Sequence, residues 1–148
     1  MRKFGLIGYP LGHSFSKQYF SDKFKREEIF DCSYENYPIS DITQLKDLID
    51  SEPELCGLNV TIPYKTDVIR FLDYIDKEAD EIGAVNVIKI KRNKDKTLLH
   101  GYNSDFIGVS DSLKQYLDSE VKQALILGTG TCHTNCVLQW ASVMESMC

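Results

Sequence analysis

No stretch of this 148-residue chain approaches the roughly 20 consecutive apolar residues that a helix needs to cross a bilayer. A secretory signal is lacking too. Met1-Arg2-Lys3 is basic and Phe4 to Gly8 is apolar, but the apolar part stops at Gly8-Tyr9-Pro10, which is too short. Excess positive charge is missing: 17 Lys and Arg stand against 22 Asp and Glu, a formal net charge of −5. With its lysines scattered, such a chain is a poor general nucleic-acid binder. The five cysteines are odd in number and show no framework spacing, which makes a reducing cytoplasm the expected compartment. Repeats and low-complexity tracts are absent. Charge is nearly absent from one region: of the residues from 131 to 148 only Glu145 is charged, although that stretch holds three of the five cysteines and the only tryptophan, Trp140. What remains is ordinary. Hydrophobic residues make up 43% and charged residues 26%, enough apolar surface for a core and against disorder. The length suits one domain, or one domain and a fragment of another.

Along the chain, strands and helices alternate. Phe4 to Gly8 reads as a strand ending in the turn Tyr9-Pro10-Leu11-Gly12. Ser14 or Ser16 caps a helix running to about Glu28, with Tyr19, Phe20 and Phe24 on its apolar side. Tyr34 to Ile39 alternates as a strand does. Ser40 or Asp41 caps a second helix with Ile42, Leu45, Leu48 and Ile49 at helical spacing, and Pro53 stops it. Leu58 to Ile62 is strand-like and ends at Pro63. A third helix is expected from about Thr66 to Tyr74 and a short one over Lys77 to Ile82. Val85 to Lys91 and Thr97 to Tyr102 read as the arms of a hairpin around a charged turn. Asp105 is expected to cap a helix reaching about Leu117. Gln123 to Leu127 reads as a buried strand leading into Gly128-Thr129-Gly130. This alternation predicts an α/β domain of three layers, a mainly parallel sheet covered by helices, and the last strand with its Gly-x-Gly turn looks like the opening of a second unit.

Four segments could carry chemistry. Ser14 and Ser16 sit after a strand at a helix start, where free N–H groups and the positive end of the helix dipole favour an anion and hydroxyls add donors. Plain N-capping explains the same residues. Asn59 and Thr61 share one face of a strand, with Lys65 at its carboxyl end, where open α/β sheets bind ligands. A lysine there can hydrogen-bond a substrate oxygen or move a proton; a solvated surface lysine is the plainer account. Gly83-Ala84-Val85-Asn86 puts an amide at a turn-to-strand junction. Gly101-Tyr102-Asn103-Ser104-Asp105 puts an acid at a strand-to-helix junction, as a cap or as the partner of a base.

Taken in order, Ser14-x-Ser16, Asn59-x-Thr61-x-Pro63-x-Lys65, Gly83-Ala84-Val85-Asn86 and Asn103-Ser104-Asp105-x-x-Gly108 closely resemble the substrate-binding domain of the shikimate dehydrogenase family. The opening Gly5 to Ser16 resembles that family's N-terminal signature, and the resemblance covers residues 1 to 130. Ser104 stands where the family commonly has threonine. The resemblance implies NADPH-dependent reduction of 3-dehydroshikimate to shikimate, on the route to aromatic amino acids. It implies that Ser14 and Ser16 hold the substrate carboxylate. It implies that Thr61, Asn86 and Asp105 contact ring hydroxyls and carbonyl, with Asn59 nearby, and that Lys65 is the catalytic residue, partnered by Asp105.

The family's nucleotide loop continues as Gly-x-Gly-Gly-Ala. Here Gly128 and Gly130 are followed by Thr131 and Cys132, where small residues would let the backbone approach the phosphates. The organisation the resemblance implies is a substrate domain over 1–118, the first strand and turn of an incomplete NADP-binding Rossmann domain over 119–130, and an aberrant or diverged tail over 131–148, attributed to a shifted reading frame or a gene-model error. NADP serves the intact family and is not expected to bind this chain, which is expected to be inactive alone. Two other functions stay open: a non-enzymatic module for shikimate-like carboxylates, and a half-enzyme complemented by a separate cofactor chain. Shikimate and quinate are not distinguished. Cys132, His133, Cys136 and Cys148 match no strong zinc spacing, so no metal is expected. The partner is a small molecule, neither nucleic acid nor membrane, and a homodimer is open to it.

Overall fold

The computed structural model describes residues 1–94, 96–114 and 125. The strand expected over 123–127, the glycines Gly128 and Gly130, and the tail 131–148 lie outside a continuous described segment. Six strands and four helices follow one another: β1 (Arg2–Gly8), α1 (Ser16–Arg26), β2 (Cys32–Pro38), α2 (Leu45–Ser51), β3 (Leu55–Val60), β4 (Tyr74–Ile75), α3 (Lys77–Ile82), β5 (Val87–Arg92), β6 (Thr97–Tyr102) and α4 (Ser104–Lys114). The strands form one sheet in the order β2-β1-β3-β5-β6-β4. Strand β1 runs parallel to β2 and β3, and β4 parallel to β6; β5 is antiparallel to both of its neighbours. The sheet is thus mixed, with parallel pairings leading three to two.

Side-chain alternation explains the layers. In β1, Phe4 and Leu6 face α1 and pack with Leu11, Phe20, Phe24 and Tyr34. Ile7 faces the other way and joins Leu58, Val60, Ile88 and Ile90 beneath Leu45 and Ile49 of α2 and Ala79 of α3. The two clusters, one on each face, make the three layers. Among the described residues no helix is long and apolar enough to cross a membrane.

Three elements depart from expectation. The strand expected over Leu58 to Ile62 is β3 at Leu55–Val60; it begins three residues earlier, because Leu55 already pairs with Lys3 of β1, and ends before Thr61. The segment expected as a helix from Thr66 to Tyr74 is a five-residue 3-10 turn, Asp67–Phe71, followed by the short strand β4. Thr66 makes no side-chain cap there, and Val68, Ile69 and Phe71 are weak helix formers. Leu72 is already extended, and Asp73 then pairs with β6: its N–H donates to Leu99 O at 2.9 Å, and Leu99 N–H donates to its carboxylate at 2.9 Å. Tertiary pairing outweighs the local helical spacing. The second helix begins with a 3-10 turn, Ile42–Gln44, under a capping box in which Asp41 accepts from Thr43 N–H and Gln44 reaches back to the Asp41 N–H. At its other end the Arg92 guanidinium donates to the carbonyls of Ile49, Glu52 and Leu55, so β5 caps α2.

Candidate functional site

The carboxyl ends of β1 and β3 meet in two turns side by side. Tyr9 N–H donates to Ile62 O at 3.1 Å, and Thr61 N–H donates to Ile7 O at 3.0 Å. Gly8 makes this approach possible: a Cβ there would stand 2.5 Å from the Thr61 methyl and 2.9 Å from Ile62 O. Beyond these turns lies an open cleft of about 530 Å³ that contains Ser14, Ser16 and Thr61, with Tyr9, Phe15 and Ile62 at its rim. Ser14 and Ser16 are half-buried, and Ser16 N–H donates to Ser14 Oγ at 3.3 Å. Phe15 occupies the cap position of α1 without a side-chain bond, so Ser16 is not spent as the helix cap.

Lys65 follows the β3 turn on a backbone fixed from several sides. The buried Tyr64 hydroxyl donates to Ile39 O at 2.8 Å, and burial pushes that hydroxyl's pKa up. Val85 N–H donates to Lys65 O at 2.7 Å. The Lys65 side chain ends 2.6 Å from Asp105 Oδ2, with side-chain exposures of 19% and 35%. Residues 40 positions apart in sequence are thereby joined in a partly buried ion pair. Asn86 is buried beside them. Its Oδ1 accepts from Ser104 N–H at 2.9 Å, and its Nδ2 donates to Ser104 Oγ at 3.1 Å.

Of the seven residues singled out for a substrate, the structure brings Ser14, Ser16 and Thr61 into one cleft. It joins Lys65 to Asp105 and sets Asn86 against the residue before Asp105. Asn59 is engaged through Tyr34: its Oδ1 accepts from the Tyr34 hydroxyl at 2.8 Å, whose other neighbour is Ser16, and it also borders an apolar groove of about 490 Å³ with Phe4, Phe20 and Phe24. The lining of that groove is too apolar for a polyhydroxylated acid. Gly128 and Gly130, the cofactor candidates, lie outside the described residues.

One cap is reassigned. Asp105 does not cap α4; Asn103 does, accepting from Phe106 N–H at 3.2 Å. Asparagine is among the best N-caps, and the register of Asn103 one residue before the helix carries that signal. Freed from capping, the Asp105 carboxylate faces Lys65. Tyr34 was not singled out by the sequence. It is 3% exposed, its ring stacks on Phe20 at 4.4 Å, and its hydroxyl lies between Asn59 and Ser16. Burial pushes it up to about 12, with the Ser16 hydroxyl drawing it partly back. No local pattern marks it, because its partners come from α1 and β3. Among the described residues no group of His, Cys, Asp and Glu is arranged to hold a metal ion.

The fold and site together are those of an α/β domain that sets a lysine–carboxylate pair, a buried amide and two serines in the segments that follow its strands. The family profile for the shikimate dehydrogenase substrate binding domain matches residues 6–88. An NADP(+)-type shikimate dehydrogenase of Methanosphaera stadtmanae is 40% identical over 129 residues, 85% of this chain and 43% of that protein. One of Staphylococcus aureus is 42% identical over 131 residues, 86% of this chain and 47% of that protein. The crystal structure of shikimate dehydrogenase 1 from Peptoclostridium difficile superposes with a TM-score of 0.83 at 37% identity, over 96% of this chain and 52% of that one. A Thermus thermophilus shikimate 5-dehydrogenase solved in complex with shikimate gives 0.79 at 26% identity, over 97% of this chain and 53% of that one. The chain belongs to the shikimate dehydrogenase family. It spans about half the length of the relatives it matches.

Proposed function

We propose that this chain binds shikimate and 3-dehydroshikimate and forms the substrate half of an NADP-dependent shikimate dehydrogenase. The observation that carries the reading is the 2.6 Å pair of Lys65 and Asp105, whose lysine directly follows the turn running from Thr61, a residue of the cleft that holds Ser14 and Ser16. A cyclic hydroxy acid presents one carboxylate and several ring oxygens. The Ser14 and Ser16 hydroxyls suit the carboxylate, and Thr61, Asn86 and Asp105 suit the ring. A nicotinamide cofactor, when bound, supplies the hydride. As the ketone oxygen gains negative charge, the Lys65 ammonium stabilises it and gives it a proton. Asp105 holds Lys65 in place and accepts a hydrogen bond from a neighbouring ring hydroxyl. The carboxylate must be held at one end for the ketone to sit at Lys65, which is the orienting work of the serines.

The replacement of the family's third loop glycine and following small residue by Thr131 and Cys132 supports weak or absent NADP binding by these 148 residues. Calorimetric titration of the 148-residue protein tests the reading. Shikimate is expected to bind saturably, its methyl ester more weakly, and NADP+ not at all. Equal affinity for acid and ester would remove the serines from the carboxylate. Oxidation of shikimate by this protein with NADP+ alone would refute the division of labour; activity restored by an added cofactor domain would support it.

A further inference from the structure

We infer that Asn103 is a positioning residue that sets the approach of Asp105 to Lys65, a role that rests on the reading of that pair as the catalytic one. Asn103 is 5% exposed, and both ends of its carboxamide are engaged. Its Oδ1 takes the cap of α4 from Phe106 N–H at 3.2 Å, and its Nδ2 donates to Ala84 O at 2.9 Å. The next residue along that segment, Val85, donates its N–H to Lys65 O at 2.7 Å. The backbone of Lys65 and the start of the helix bearing Asp105 are therefore tied to two consecutive residues. One peptide unit measures the spacing between the two partners. Ser104 N–H, bonded to Asn86 Oδ1 at 2.9 Å, fixes the same helix start from the other side of the Ala84–Asn86 strap.

The chemistry singles out a carboxamide. The position needs an acceptor for a helix N–H and, in the same short side chain, a donor for a buried carbonyl. Serine can cap but has no donor long enough to reach Ala84. Aspartate would set an oxygen against the Ala84 carbonyl. Capping by Asn103 also keeps the Asp105 carboxylate out of competition with the helix end, because an acid beginning a helix is otherwise drawn to its free N–H groups. Asn103 does not line the cleft containing Ser14 and Ser16, and its carboxamide bonds go to Phe106 and Ala84, not to Lys65; it acts through Asp105.

Labelling of lysines in the whole 148-residue protein tests this without any ligand. Acetic anhydride at limiting concentration, read by mass spectrometry at each lysine, reports how firmly each amine is held. Asp105→Asn is expected to raise labelling of Lys65 about fivefold, the scale of one partly buried ion pair. Asn103→Ser, which keeps a capping oxygen and loses the bond to Ala84, should give a similar rise at Lys65. It should leave Lys3, paired with Glu52, and Lys96, paired with Asp73, unchanged. In the double variant Asn103→Ser adds nothing to Asp105→Asn, since both act on one contact. A purely structural role predicts a rise at all three lysines, or additivity, and either result overturns the inference, as does an unchanged Lys65. If the serine variant lacks a cooperative unfolding transition, Asn103→Thr fills part of the lost volume and is read in the same way. Loss of the folded state in both assigns Asn103 to the fold at large and also overturns it. Shikimate titration of the unaltered protein is run beside these. Failure there sinks the functional reading while the labelling still reports on the positioning.

Discussion

Lys65 and Asp105 show how far single residues can be read from a chain. Each was legible as a candidate, because a lysine after a strand end and an acid at a helix start are recurrent positions for chemistry. Their meeting across 40 residues was not legible from spacing, and only the family resemblance suggested it. In a full-length shikimate dehydrogenase carrying this domain, Lys65→Ala is expected to lower kcat by about 10²- to 10⁴-fold with KM for shikimate little changed, the pattern of a lost proton donor. Steady-state kinetics check it; near-normal kcat would remove Lys65 from the reaction. Tyr34 makes the opposite case. Its burial is a matter of three elements converging, so the sequence kept silent about it. With its folded pKa raised to about 12 from 10, the protonated ring is favoured in the folded protein. Below pH 10 both states hold the proton and nothing is lost. Between pH 10 and 12 the unfolded chain gives up its proton first, so stability falls, by on the order of 2 kcal/mol across that window. Denaturant unfolding at pH 9 and pH 11.5 should show that loss in the unaltered protein and a smaller one in Tyr34→Phe.

At the scale of elements, period and turn chemistry gave β1, α1, β2, α2, α3 and the β5–β6 hairpin close to their observed bounds. The misses over Thr66 to Tyr74 and at the start of β3 lie in pairings with distant strands. From Thr66 to Tyr74 the apolar residues recur at helical spacing, yet Asp73 and Leu99 exchange backbone and side-chain bonds that convert the end of that segment into an edge strand. Such a pairing belongs to β6 as much as to the segment itself. The cap of α4 shifted by two residues for a related reason, since Asp105 had a stronger partner in Lys65. Joints between elements are accordingly where substitutions should cost most. Gly8→Ala is expected to destabilise the protein by about 1–3 kcal/mol, because the added methyl meets the Thr61 methyl and a backbone carbonyl at once. Arg92→Met, which leaves the last carbonyls of α2 without their donor, should cost about 1–2 kcal/mol. Urea denaturation of each variant measures both; an unchanged midpoint for Gly8→Ala would mean that the two turns are not packed as described.

For the whole molecule, the mixed sheet with helices on both faces builds the cleft from β1, the turns that follow β1 and β3, and the start of α1. Composition had indicated a domain with room for a core, and the two hydrophobic clusters bear that out. Phe15 and Ile62 stand exposed at the cleft rim. The account stands or falls on where a substrate settles. Amide chemical-shift mapping of the 148-residue protein with added shikimate tests this most directly. The account predicts saturable shifts concentrated at Ser14, Ser16, Thr61, Lys65, Asn86 and Asp105. No saturable shifts, or shifts confined to the apolar groove beside Phe20 and Phe24, would contradict it.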